Sequence, residues 1–222
     1  MAKFRDRRNA GRILARELLA YASRSDVTVL ALPRGGVPVA YEVALALNAP
    51  LDIFIVRKLG MPGHEELAIG AIASGGIQVL NEEIIFTLGI DREVINKVSQ
   101  RELRELERRE HSYRGDRPAP DVRDRTVILV DDGLATGASM RAAVAGLRTR
   151  HPVRIVVAVP IAAPETCEAF ASEVDEIVCA ITPEPFYGVG RWYEDFSQTT
   201  DEEVRILLDQ AQRHLLHGSL VS

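Results

Sequence analysis

The chain has 222 residues, 46% of them hydrophobic and 27% charged, with a formal net charge of −5. This is the composition of an ordinary globular domain, and its acidic balance does not support charge-driven binding to nucleic acid or to a membrane surface. No apolar run approaches the roughly 18 residues of a membrane span, and the charged start, Met1-Ala-Lys-Phe-Arg-Asp-Arg-Arg, has no apolar signal core behind it. A cytoplasmic location is the expectation. Cys167 and Cys179 have neither metal nor redox spacing and read as separate buried thiols in a reducing compartment.

In chain order, residues 9–23 carry Ile13, Leu14, Leu18, Leu19 and Ala22 on one helical face. Val27–Leu32 is a short apolar strand that runs into Pro33-Arg34-Gly35-Gly36, and a helical stretch then reaches Leu47. Leu51–Val56 reads as a second strand ending in Arg57-Lys58, and the Gly-rich segment 60–76 follows it. Residues 77–90 hold a short strand and a helical turn. The charged stretch from Asp91 to Tyr113 has Glu93–Lys97 and Glu105–Arg109 at helix-stabilising spacing, with Val94, Ile95, Val98, Leu103 and Leu106 as a narrow apolar stripe. Pro118-Ala119-Pro120 breaks it. Strand and helix alternate again over 127–150, 153–173 and 177–181, and a helix capped by Thr200, Asp201 and Glu203 closes the chain over 200–216. The alternation predicts an α/β fold with a doubly wound, mostly parallel sheet. In such folds ligands sit at the carboxyl ends of strands. Three of the loops, after Leu32, Val56 and Val130, lie at such ends.

The run 127–140 is the most specific. The apolar strand Val127-Ile-Leu-Val130 ends in two carboxylates, Asp131 and Asp132, and a small-residue loop leads into a helical pattern. Gly133 and Gly137 let successive amides turn into one concavity, and Thr136 is a candidate helix cap. Amides at a helix start, with the Thr136 and Ser139 hydroxyls, favour a phosphate. Ionised Asp131 and Asp132 suit vicinal sugar hydroxyls, directly or through a hard cation such as Mg²⁺. The pattern specifies a sugar phosphate.

Val130-Asp131-Asp132-Gly133-Leu134-Ala135-Thr136-Gly137-Ala138-Ser139-Met140 resembles the phosphoribosyl diphosphate (PRPP) signature of type I phosphoribosyltransferases, closest to its adenine-type version. The resemblance covers roughly residues 27–185, with 186–222 as a small hood or C-terminal segment of one domain. It implies that Asp131 and Asp132 hold the ribose 2- and 3-hydroxyls, with Mg²⁺ bound through water, and that Gly133, Ala135, Thr136, Gly137, Ala138 and Ser139 wrap the 5-phosphate. It implies pyrophosphate binding by the loop after the first strand, often through a strained or cis peptide. Arg34, Gly35 and Gly36 occupy that place, and Arg57 and Lys58 add cations. Two departures stand out. Ala135 replaces the Asp that hypoxanthine-guanine enzymes carry as a proposed base, which argues against that substrate. Gly133 replaces a larger apolar residue usual in adenine and orotate types.

The segment Gly60-Met-Pro-Gly-His64-Glu65-Glu66-Leu-Ala-Ile-Gly70 suits a mobile lid that excludes water from a hydrolysable sugar diphosphate, as in the family. Lys58, His64, Glu65 and Glu66 are candidates for acid–base work there. Residues 186–196 hold five of the chain's twelve aromatics, and Phe186, Tyr187, Trp192 and Tyr193 suit either stacking on a planar base or a clasp that packs the tail onto the body. The function so implied is transfer of 5-phosphoribosyl from PRPP to a nitrogenous small-molecule acceptor, by a homodimer in the family's manner. The alternative is a protein of the same fold that senses PRPP or a nucleotide without catalysis. Seven Arg/Lys against five Glu over 92–114 make a poor nucleic-acid surface, and the lid favours an enzyme.

Overall fold

A computed structural model of the chain describes residues 3–218. Helix α1 (Arg7–Glu17) starts on Asp6, whose side chain accepts a hydrogen bond from the Asn9 amide, and a short 3₁₀ turn, Leu19–Tyr21, follows it. The helix begins two residues before the expected start. Its buried face holds Ala10, Leu14 and Ala15 with Leu18 just beyond, while Leu19, expected on that face, is exposed. Strand β1 (Val27–Ala31), α2 (Gly36–Leu47) and β2 (Leu51–Ile53) form a β–α–β unit, with β1 and β2 parallel.

The chain then leaves this sheet. Phe54 N–H donates to the Ala31 carbonyl, the last such link, and Ile55 is tied instead to Ser74. Strands β3 (Val56–Met61), β4 (His64–Ala73) and β5 (Ile77–Leu80) make a separate antiparallel sheet in the order β3-β4-β5. So the expected second strand over Leu51–Val56 is two pieces in two sheets. The segment 60–70, expected as a mobile lid, lies in a β-hairpin turning at Pro62-Gly63. Helices α3 (Glu82–Leu88) and α4 (Arg92–Arg114) lead back to the main sheet.

The return completes a five-stranded parallel sheet. Strand β6 (Thr126–Val130), α5 (Ala138–Arg148), β7 (Arg154–Ile161), α6 (Pro164–Phe170), β8 (Glu176–Ile181) and α7 (Asp201–Gly218) end the described chain. Strand order is β2-β1-β6-β7-β8. All five residues of β1 and of β6 are buried. This is the continuous apolar pattern of a parallel sheet covered on both faces. One face carries Val27, Val29, Ile128 and Val130 against α1, α2, α4 and α7; the other carries Leu30, Val127 and Leu129 against α5 and α6. After β1 the chain winds outward to β2, and after β6 it winds the other way to β7. The crevice between the ends of β1 and β6 is therefore the topological switch point, where open α/β sheets bind ligands.

Cys167 and Cys179, expected as separate thiols, are joined in a disulfide. Helix α6 packs beside β8 and brings the two Cα atoms to 6.7 Å, which their spacing alone does not reveal. Among the described residues no helix is long and apolar enough to cross a membrane.

Candidate active site

The loop after β1 is held onto β6. Leu32 N–H donates to the Val130 carbonyl at 2.9 Å, and the Pro33–Arg34 peptide is cis. Gly35 and Gly36 then pass so close to the acidic pair that neither position has room for a side chain. A Cβ on Gly35 would sit against the Asp132 carboxylate, 2.7 Å from its Cγ. One on Gly36 would meet the Val130 carbonyl oxygen at 2.7 Å and Asp131 Cα at 2.9 Å. The backbone of one expected anion loop thus lies directly on the other. Arg34 pairs with Asp201 at the start of α7 at 3.6 Å, and Asp201 also accepts the Tyr113 hydroxyl at 2.6 Å.

The loop after β6 turns its carbonyls toward the protein. Ala135 O accepts the Thr166 hydroxyl at 2.6 Å, and Thr136 O accepts an Arg141 N–H at 2.8 Å. Leu134 bridges to the end of β7, with its N–H on the Ile161 carbonyl at 2.8 Å. Ala135, Thr136, Ala138 and Ser139 remain exposed. Gly137, at φ 77°, is the N-cap of α5, and no side chain caps that end. Thr136, the expected cap, stands one residue too early. The first-turn amides of α5 have no helical acceptor and carry the positive end of the helix dipole. An anion of phosphate size fits that place.

Asp131 accepts the Asp132 N–H at 2.8 Å. Burial and the adjacent carboxylate push the Asp131 pKa well above the usual carboxylate range. Burial raises that of Asp132 as well, against the pull of Arg7, whose Nε lies 2.8 Å from Asp132 Oδ2. Two carboxylates that resist ionising side by side gain from a cation or from hydroxyl donors. The described residues contain no cluster of three or more His, Cys, Asp or Glu to hold a metal. A Mg²⁺ held by one or two carboxylates, water and substrate phosphates needs none. The pair therefore fits such an ion.

The other expected residues are placed differently. Arg57 lies in β3, not at the end of a parallel strand, and donates to Glu102 of α4 at 2.6–2.7 Å. That pair ties its guanidinium to α4. Lys58 pairs loosely with the exposed Glu66 at 3.3 Å. It borders a cavity of about 600 Å³ that also touches Ala138, Ser139 and Arg141, so it shares an edge with the start of α5. His64 is exposed beside the hairpin turn, and the Glu65 side chain lies outside the described residues. Tyr193 is 3% exposed; its hydroxyl donates to the Asp132 carbonyl at 2.6 Å, and its ring packs near Phe4 and Phe196. It cannot stack on a base in that position. Burial and the Asp132 carboxylate push its phenol pKa up, so it stays a donor. Trp192 donates to the Phe186 carbonyl at 2.9 Å, both residues pack against the small core of Phe4, Ala10, Ile161 and Tyr193, and Tyr187 is 78% exposed. Gly133, the departure from the adenine and orotate pattern, makes room for Val189, which would lie 2.5 Å from a Cβ there.

A family model described as the phosphoribosyl transferase domain matches residues 6–182. The chain belongs to this family. It is 45% identical over 221 residues to two Mycobacterium tuberculosis proteins provisionally named phosphoribosyl transferases, MT0597 and Rv0571c. The alignment takes in the whole chain but only half the length of those relatives. Among solved structures it resembles TT1426 from Thermus thermophilus, at 43% identity and a TM-score of 0.82 over 94% of this chain and 98% of that one. The AQ2163 protein from Aquifex aeolicus, at 12% identity and a TM-score of 0.50 over 91% of this chain and 85% of that one, shares the fold alone. The phosphoribosyltransferase match includes β1, β6 and both loops, and it begins one residue before Arg7, which sequence reading passes over.

Proposed function

We propose that this phosphoribosyltransferase-family chain transfers the 5-phosphoribosyl group of PRPP to a nitrogen nucleophile and releases pyrophosphate. The observation that carries the reading is the contact of the Gly35-Gly36 backbone with Asp131 and Asp132, which joins two anion-holding loops around one acidic pair. The amides and hydroxyls of residues 135–139 hold the 5-phosphate. The carboxylates of Asp131 and Asp132 accept hydrogen bonds from the ribose 2- and 3-hydroxyls and orient the ring. The 34–36 loop holds pyrophosphate, with Arg34 exchanging its partner Asp201 for the ligand. The C1–O bond to pyrophosphate breaks, a C1–N bond forms, and the nitrogen loses a proton. Asp131 and Asp132 would hold Mg²⁺ through water, and the ion supplies charge neutralisation to the leaving pyrophosphate.

Ala135 supplies no base, so the proton passes to the acceptor's own surroundings or to the β3–β4 hairpin, where Lys58, His64, Glu65 and Glu66 stand. Closing of that hairpin excludes water from PRPP. The 186–192 segment is the acceptor side, with Phe186, Tyr187 and Trp192 as its aromatic surface. A homodimer completes the reading.

The test is incubation with PRPP, Mg²⁺ and a panel of purines, pyrimidines and small amines, following pyrophosphate release. Turnover with at least one nitrogen acceptor is expected. Tight PRPP binding with no turnover on any acceptor would favour a sensor instead, and absence of PRPP binding would contradict both.

A further inference from the structure

Resting on the donor-site reading above, we infer that Arg7 is a positioning residue of the donor site, fixing one oxygen of the Asp132 carboxylate so that the other faces the ribose hydroxyls. Arg7 opens α1, and Asp6 fixes that opening by capping the Asn9 amide at 2.6 Å. Gly11 lets α1 lie on α2, since a Cβ there would meet the Val39 carbonyl oxygen at 2.5 Å. From this anchored helix Arg7 reaches three partners. Its Nε meets Asp132 Oδ2 at 2.8 Å, its Nη1 donates to the Ser197 carbonyl at 2.6 Å, and its guanidinium carbon lies 4.0 Å from the centre of the Phe196 ring. The same Nε would be 3.3 Å from a Cβ on Gly35. Arg7 therefore holds Asp132 and lies beside Gly35, with its side chain only 12% exposed.

The geometry separates this part from simple stapling of the chain ends. The ends are already joined by backbone: Phe4 N–H donates to Trp192 O at 2.8 Å, Glu194 N–H to Phe4 O at 2.8 Å, and Asp195 N–H to Arg5 O at 2.9 Å. Stapling needs no carboxylate from the β6 loop. Asp132 is gripped at two points instead, its carbonyl by Tyr193 and its Oδ2 by Arg7. A carboxylate with one oxygen fixed cannot rotate, so the other keeps one direction. An acceptor already aimed avoids the ordering cost that a free rotor adds to binding.

Calorimetry on Arg7→Gln, Arg7→Lys and the unaltered protein, with PRPP and Mg²⁺, ribose 5-phosphate and inorganic phosphate as separate probes, tests this. Arg7→Gln is expected to weaken PRPP and ribose 5-phosphate by about tenfold or more, the usual worth of a charged hydrogen bond. Inorganic phosphate, held by residues 135–139, should change less than about twofold on the same scale. Arg7→Lys, which keeps the charge but not the fork, is expected to fall between. If Arg7→Gln does not fold, the Arg7→Lys protein carries the comparison, with the same selective loss on the two ribose ligands. Equal weakening of all three ligands, or a lower melting temperature with unchanged ribose affinity, would make Arg7 a structural staple and overturn the proposal. Failure of the unaltered protein to bind PRPP would instead overturn the donor-site reading and this inference with it.

Discussion

The crevice between β1 and β6 and the hairpin sheet beside it are built by opposite means. In the crevice, two glycines are pressed against two carboxylates and the strands beneath are buried on both faces. Little there can move without moving the sheet. Beside the β3–β5 sheet, the α3 helix that follows buries none of its residues, and Phe86 is 89% exposed. On the proposed reading, the first kind of structure grips the phosphoribosyl donor, and the second covers the reaction, on a surface where change is tolerated.

Substitutions that cross this divide should separate the halves. Gly35→Ala places a methyl on the Asp132 carboxylate. Displacing that carboxylate costs a charged hydrogen bond to the ribose, about 1.5–3 kcal/mol, so PRPP affinity should fall roughly ten- to hundredfold by calorimetry. An unchanged affinity would mean that the two loops do not bind one ligand. The Cys167–Cys179 disulfide closes a short loop, with a sequence separation of 12, between α6 and β8. Its removal in a Cys167→Ser/Cys179→Ser protein should cost about 2–3 kcal/mol of stability, seen in denaturant melts, with PRPP affinity intact. Loss of affinity would show that the crevice depends on that crosslink. Arg57→Ala strips a partner from the buried Glu102 and should destabilise by about 1–2 kcal/mol without altering PRPP binding. Were PRPP affinity to drop instead, Arg57 would belong to the donor site after all. Lys58→Ala breaks only an exposed pair and should shift stability by less than about 0.5 kcal/mol. Any slowing of turnover would then report on the hairpin as a cover, and no slowing would remove Lys58 from the reaction.

The crevice is readable in the sequence because its parts are contiguous. Strand, acidic pair, small-residue loop and helix follow one another over 127–140, and Pro33-Arg34-Gly35-Gly36 follows β1 directly. Each run carries its own local physics. What stays hidden depends on partners distant in the chain. Arg7 lies 125 residues from Asp132, and no local pattern in a charged N-terminus marks it as a site residue. Arg57 reads as a ligand cation because its partner, Glu102, stands 45 residues away with nothing local to announce it. The hairpin reads as a loop because glycines at 60, 63 and 70 outweigh the buried Leu59, Ile69 and Ile72 that anchor it. Leu51–Val56 reads as one strand, and the tie between Ile55 and Ser74 divides it between two sheets.

The central claim is that Asp131 and Asp132 hold the ribose of PRPP. Calorimetric titration of PRPP with Mg²⁺ into the unaltered protein and into Asp131→Asn/Asp132→Asn tests it most directly. Two charged acceptors lost should weaken PRPP by about a hundredfold or more while the protein stays folded. Equal affinity in the two proteins would place the ribose elsewhere and contradict the account.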